Sequence, residues 1–200
     1  MNNEWEIKLQ EEFPFLKQNN EEEEQNIYRR WGFECSGGWA KLLRECCEAI
    51  VARYAEDGIE PDDIDFVPEQ IKEKFGTLRF YYGYINAPCG VAAFDLLGSG
   101  TSLRFEPSDE VDDEKTRKLR HDISQIVRAA EEKSKHTCEI CGEPGALRND
   151  RDIGIFYVRT LCDSCHEKRI KSVEEAKGKR TEKAKEIYDE IKKGSDKQLP

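Results

Sequence analysis

The chain has 200 residues, of which 37 % are charged, with a net charge of −10 and a mean hydropathy of −0.82. An ordinary soluble domain is only about one quarter charged, so the apolar residues here must be gathered into parts of the chain and leave other parts solvated. No apolar run approaches the roughly 20 residues of a membrane helix, and the start Met1-Asn2-Asn3-Glu4-Trp5-Glu6 is neither basic nor apolar as a secretory signal would be. These features predict an intracellular, cytoplasmic protein that makes no membrane contact.

Charge is unevenly placed. Residues 1–137 carry 18 basic and 29 acidic side chains, whereas residues 138–200 carry 14 and 13. Binding to a phosphate backbone rests on Lys and Arg releasing counterions, so an acidic body disfavours a nucleic-acid-coating role.

The first segment, residues 1–34, reads as an amphipathic helix and an acidic linker. Trp5, Leu9, Phe13 and Leu16 recur at helical intervals, with a break near Pro14, and Glu21–Glu24 form a solvated run. Residues 35–136 then read as an α+β body. Trp39, Leu42, Leu43, Cys46, Ile50 and Tyr54 make one face of a helix ending at Gly58, with Cys47 on its edge. Within residues 62–84, Leu78, Phe80, Tyr82 and Tyr84 alternate with Arg79, Tyr81 and Gly83, as in a strand with one apolar face. Ile64–Lys72 is its expected antiparallel partner across a turn at Lys74-Phe75-Gly76, and Pro68 places that partner at an edge or interrupts it. Aromatics flanked by Lys72, Lys74 and Arg79 could form a base-stacking platform, but core packing against the helix is the favoured reading. Residues 85–106 are apolar and glycine-rich without a period and read as an insertion. A helix capped at Ser108 or Asp109 should follow and run to Lys135, with Leu119, Ile123, Ile126, Val127 and Ala130 as its stripe.

Cysteines dominate residues 137–178. Cys138-Glu-Ile-Cys141 and Cys162-Asp-Ser-Cys165 are two CxxC pairs separated by twenty residues. In a reducing compartment such pairs read as one tetrathiolate site for a single structural zinc ion, because each turn supplies two sulfurs and two turns close a tetrahedron. Gly142 supports the first turn, and His136 and His166 flank the ligands. Four thiolates leave no open position for substrate or water, which argues for a structural and against a catalytic metal. A hairpin of residues 145–150 with a strand over Ile153–Leu161, then a helix opened by the second pair, would complete a treble-clef-like four-cysteine zinc module. Residues 179–200 read as a charged helix with Ala184, Ile187, Tyr188 and Ile191 as a narrow stripe, and a disordered tail from Gly194. A second metal site from Cys35, Cys47 and Cys89 is a lesser possibility, since those cysteines lack ligand spacing.

Taken together, Glu34-Cys35-Ser-Gly-Gly-Trp39, Lys72-Glu-Lys-Phe-Gly-Thr-Leu-Arg-Phe-Tyr81, Cys138-Glu-Ile-Cys-Gly-Glu-Pro-Gly145 and Arg159-Thr-Leu-Cys-Asp-Ser-Cys165 resemble a family of uncharacterised small zinc-binding proteins common in phage and prophage genomes. The resemblance spans residues 30–166 and departs at 85–106 and after Cys165. It implies a bound metal and a host-cytoplasmic, phage-linked setting, and carries no activity.

The sequence thus predicts α+β architecture, helices packed on a short antiparallel sheet, with the zinc module C-terminal. No catalytic cluster stands out. The expected function is a non-enzymatic, zinc-stabilised protein-binding module that acts on a host protein, for instance by inhibiting a defence or nucleic-acid enzyme. One alternative is a metal-dependent treble-clef nuclease, although residues 145–161 hold no histidine for such a site. Another is a small DNA- or RNA-binding regulator using Arg148, Arg151, Arg159, Lys168, Arg169 and Lys171.

Overall fold

The structure, a computed structural model, describes residues 3–18, 26–85, 93–95, 102–104 and 113–195. It is α+β, with helices and small sheets. The chain divides into two units, Met1–Cys162 and Asp163–Pro200.

The first unit begins with α1, Glu4–Glu12. Pro14 cannot donate to the preceding turn, so the helix stops there and a 3-10 turn, Pro14–Leu16, follows. Leu9, Phe13 and Leu16 are buried in the main core. A short helix absent from the sequence expectation, α2 (Ile27–Trp31), is capped by Asn26, whose side chain accepts from the Arg29 N–H. Its Tyr28 hydroxyl donates to the Leu16 carbonyl at 2.9 Å and ties the two N-terminal segments together.

The main sheet has the order β1 (Phe33–Glu34), β2 (Phe66–Lys74), β3 (Thr77–Tyr84). The expected β2–β3 hairpin is antiparallel, but β1 joins β2 in parallel, so the sheet is mixed. Pro68 sits where β1 no longer reaches: β1 pairs with Ile71 and Lys72, and the β2–β3 register shifts between Pro68 and Gln70. A residue without an N–H is tolerated at such a place. The Pro68 carbonyl accepts from Asn26 Nδ2 at 2.9 Å. The hairpin turns on Phe75 and Gly76, with φ of 53° and 75°, as two-residue turns matched to strand twist require.

Phe66, Phe80, Tyr82 and Tyr84 form an aromatic cluster on the inner face, with Phe66 and Tyr82 stacked at 4.8 Å and Phe15 edge-on to Phe66 at 5.5 Å. These four rings are buried in the core rather than offered to bases. Against them lie the residues of α3 (Ala40–Glu56) and α4 (Glu114–Ser134). Both helices follow the apolar stripes read from the sequence, and Cys47, expected at the edge, is as buried as Cys46. The cap of α4 is Asp113, which accepts from the Thr116 N–H at 2.7 Å; Ser108 and Asp109, the expected caps, lie outside the described residues. So do Glu21–Glu24 and Cys89, and of 85–106 only Ile85 and the paired strands β4 (Ala93–Asp95) and β5 (Ser102–Arg104) are described.

After α4 the first unit ends in a small hairpin, β6 (Ala146–Arg148) with β7 (Arg159–Leu161). The strand expected over Ile153–Leu161 is thus confined to its last three residues. Arg151–Ile153 is a 3-10 turn closed by Gly154 at φ 78°, and the Ile155 N–H bonds back to the Asp150 carbonyl, so the chain loops before it can pair. The second unit contains α5, Asp163–Ser195, which continues through Gly178 without a break. No described helix is long and apolar enough to cross a membrane.

Candidate metal centre

The end of α4 leads directly into the first CxxC turn. Thr137 bridges Pro144, Cys138 N–H donates to the Glu143 carbonyl at 2.8 Å, and Gly142 N–H donates to the Cys138 carbonyl at 2.9 Å. This reversal needs a left-handed residue after the second cysteine, and Gly142 supplies φ 81°. The Glu139 N–H donates to the Thr160 carbonyl at 3.0 Å, which fixes the turn against β7 and brings Cys162, the residue after β7, beside it. Cys165 stands in the first turn of α5.

The outcome is a cluster in which the sulfurs of Cys138, Cys141, Cys162 and Cys165 all lie within 4.8 Å of one another. The Cys141 and Cys162 sulfurs are 3.6 Å apart. No described cysteine is in a disulfide. A tetrahedral zinc with Zn–S of about 2.3 Å requires S···S edges of roughly 3.8 Å, so the Cys141–Cys162 separation already suits the ion and no pair has to close by more than about 1 Å. Burial by itself raises the Cys138 thiol, but hydrogen bonds from the backbones of Cys162, Cys141 and Ile140, and one with the Cys141 side chain, outweigh it and bring Cys138 down to about 7. N–H donors aimed at a sulfur stabilise its thiolate, the form that binds metal. The donor set, its spacing and its polarisation fit a metal ion.

The other candidate residues are placed elsewhere. Neither His136 nor His166 belongs to the cluster, and His121 is exposed on α4. Among the described residues, Cys35 and Cys47 join no group able to hold a metal, and Cys89 lies outside those residues. Burial pushes Cys46 up to about 12 and raises Cys47 well above the ordinary thiol range, so both are protonated, apolar occupants of the core. Cys35 is raised by burial as well, and then by Glu139. Of the arginines expected to line a basic patch, Arg148 donates from Nε to the Leu161 carbonyl at 3.3 Å and Arg159 lies 3.6 Å from the Glu139 carboxylate, so two of them serve the hairpin itself.

What sequence reasoning missed is the seat of the knuckle. Ser36, Gly38 and Trp39 touch it directly, and Glu139, between Cys138 and Cys141, is almost fully buried. The clue was present in the Gly37-Gly38 pair just before Trp39, which no helix or strand period explains. Compared with family models, curated proteins and solved structures, the chain matches none.

Proposed function

We propose that the chain is a non-enzymatic protein-binding module stabilised by one structural zinc ion at Cys138, Cys141, Cys162 and Cys165, in a treble-clef-like order of knuckle, hairpin and helix. The observation that carries this reading is the convergence of four thiols without a disulfide. Four thiolates occupy every position of a tetrahedral zinc, so the ion holds backbone and leaves no site for a reacting group. Its role is mechanical: it joins Cys138 and Cys141 to Cys162 and Cys165 where the local apolar residues are too few to do so.

The binding role is supported by what the hairpin displays. Phe156 and Tyr157 are 75 % and 80 % exposed, and Leu147 is 56 % exposed. Aromatic side chains presented this way are the usual anchors of protein interfaces. The acidic charge favours a protein partner over a phosphate backbone. The setting we propose, a phage or prophage product acting on a bacterial host protein, follows from the sequence resemblance.

Affinity capture from bacterial lysate tests this reading, with the wild-type chain and the double variant Phe156→Ser/Tyr157→Ser as baits. A specific protein retained by the wild type and lost by the variant is the expected result. Equal retention by both baits, no specific protein at low salt, or Mg²⁺- or Mn²⁺-dependent cleavage of DNA or RNA by the purified chain would overturn it.

A further inference from the structure

We infer that Ser36, Gly38 and Gly76, none of which belongs to the four-thiol cluster, are positioning residues of the metal centre, so that metal affinity and the order of the α+β core at Ser36–Trp39 are coupled. The inference rests on the reading above that the four cysteines hold zinc. It is carried by two contacts that join the body to the ligand-bearing segments.

The first contact is at the knuckle. Gly38 N–H donates to the Glu139 carbonyl at 2.9 Å. A Cβ on Gly38 would lie 2.4 Å from the Cys138 carbonyl oxygen and 2.5 Å from the Glu139 carbonyl carbon, closer than real side chains approach backbone. Only glycine allows this seat. Around it, the Trp39 indole donates to the Thr137 carbonyl at 2.9 Å across 98 residues of sequence, and the Ser36 hydroxyl donates to the buried Glu139 carboxylate at 3.1 Å.

The second contact is at the hairpin turn. A Cβ on Gly76 would lie 2.4 Å from Leu147 Cδ1 and 3.2 Å from the Arg159 carbonyl carbon. The Thr160 hydroxyl, fully buried, donates to the Gly76 carbonyl at 2.6 Å. Body and metal segments therefore share a backbone-to-backbone surface at two points. Residues 138–142 bury little apolar surface of their own, since Ile140 is exposed and Cys138 is the buried apolar residue among them. The ion is then what keeps their side of that surface in shape. Coupling is reciprocal: if the metal orders the seat of Gly38, a well-fitted Gly38 tightens the metal by the same factor.

Zinc affinity measured by competition with a chelator, in the full chain, tests the coupling together with backbone hydrogen exchange before and after metal removal. Gly38→Ala should weaken zinc by about 5- to 150-fold, the usual span for coupled sites, and Ser36→Ala by a smaller factor with unchanged circular dichroism. Gly178→Ala, where no atom lies within 4 Å of the added Cβ, should leave affinity unaltered. Metal removal should speed exchange at Gly38–Trp39 and at Gly76–Leu78, which contain no ligand. A folded Ser36→Ala or Gly38→Ala variant that binds zinc as tightly as the wild type, or faster exchange confined to residues 137–165, overturns the coupling alone. A wild-type chain that takes up no zinc overturns the four-cysteine reading beneath it.

Discussion

Arg53 binds carboxylates on both sides of a helix interface. From α3 its Nε reaches Asp122 on α4 at 2.8 Å and its Nη1 reaches Asp57 at 3.0 Å, with the side chain only 10 % exposed. The Asp122 hydrogen bond, partly opposed by burial, raises the guanidinium above its ordinary range, and Asp57 adds to this. Arg53→Ala should cost about 1.5–3 kcal/mol, the range for hydrogen bonds to charged groups, because both carboxylates lose a partner while keeping some access to water. Urea unfolding should show a lower midpoint at an unchanged slope; a midpoint like the wild type's would mean water replaces the guanidinium fully. The clustering of the four cysteines was legible residue by residue, because paired CxxC turns are what bring four thiols together. Gly38 was not, since its role is to approach a backbone about 100 positions away and no local pattern records such a contact.

At the scale of an element, β3 is an outer strand of its sheet and needs partners for the N–H groups that face away from β2. Side chains of α4 supply them: Ser134 Oγ accepts from Leu78 N–H at 2.9 Å, and Glu131 accepts from Phe80 N–H at 2.8 Å. Ser134 and Leu78 are fully buried, so Ser134→Ala should leave an N–H without water or partner and cost about 1–3 kcal/mol. Thermal unfolding of that variant checks it; an unshifted transition would show that the strand finds another acceptor. The stripes of α3 and α4 were legible because a helix facing a core repeats on a 3.6-residue period. So was the β2–β3 hairpin, from alternation and a Phe-Gly turn. The parallel strand β1 is two residues long and has no period to read, and α2 rests on a single cap and one buried tyrosine. Over Ile153–Leu161 alternation misled, because Gly154 and the Asp150 carbonyl close a turn before pairing starts.

Across the whole molecule, one core gathers side chains from α1, β1, β2, β3, α3 and α4, while the knuckle at Cys138–Gly142 and the β6–β7 hairpin lean on it through Gly38 and Gly76. A highly charged chain with few apolar residues can sustain that core, but the segments beyond α4 bury little. Among their described residues, Cys138, Ile155 and Leu161 are the buried apolar ones. On the proposed reading, a zinc cross-link does there what packing does elsewhere. Zinc binding is worth on the order of 10–16 kcal/mol in small finger peptides, and a chain of this size shifts its melting temperature by about 2–4 °C per kcal/mol.

Thermal unfolding of the purified full chain, with metal content followed before and after chelation, measures this most directly. We expect one zinc per chain and a fall in melting temperature of at least about 10 °C once the ion is removed. A chain that carries no zinc as purified, or one that melts at the same temperature after losing it, would contradict the account.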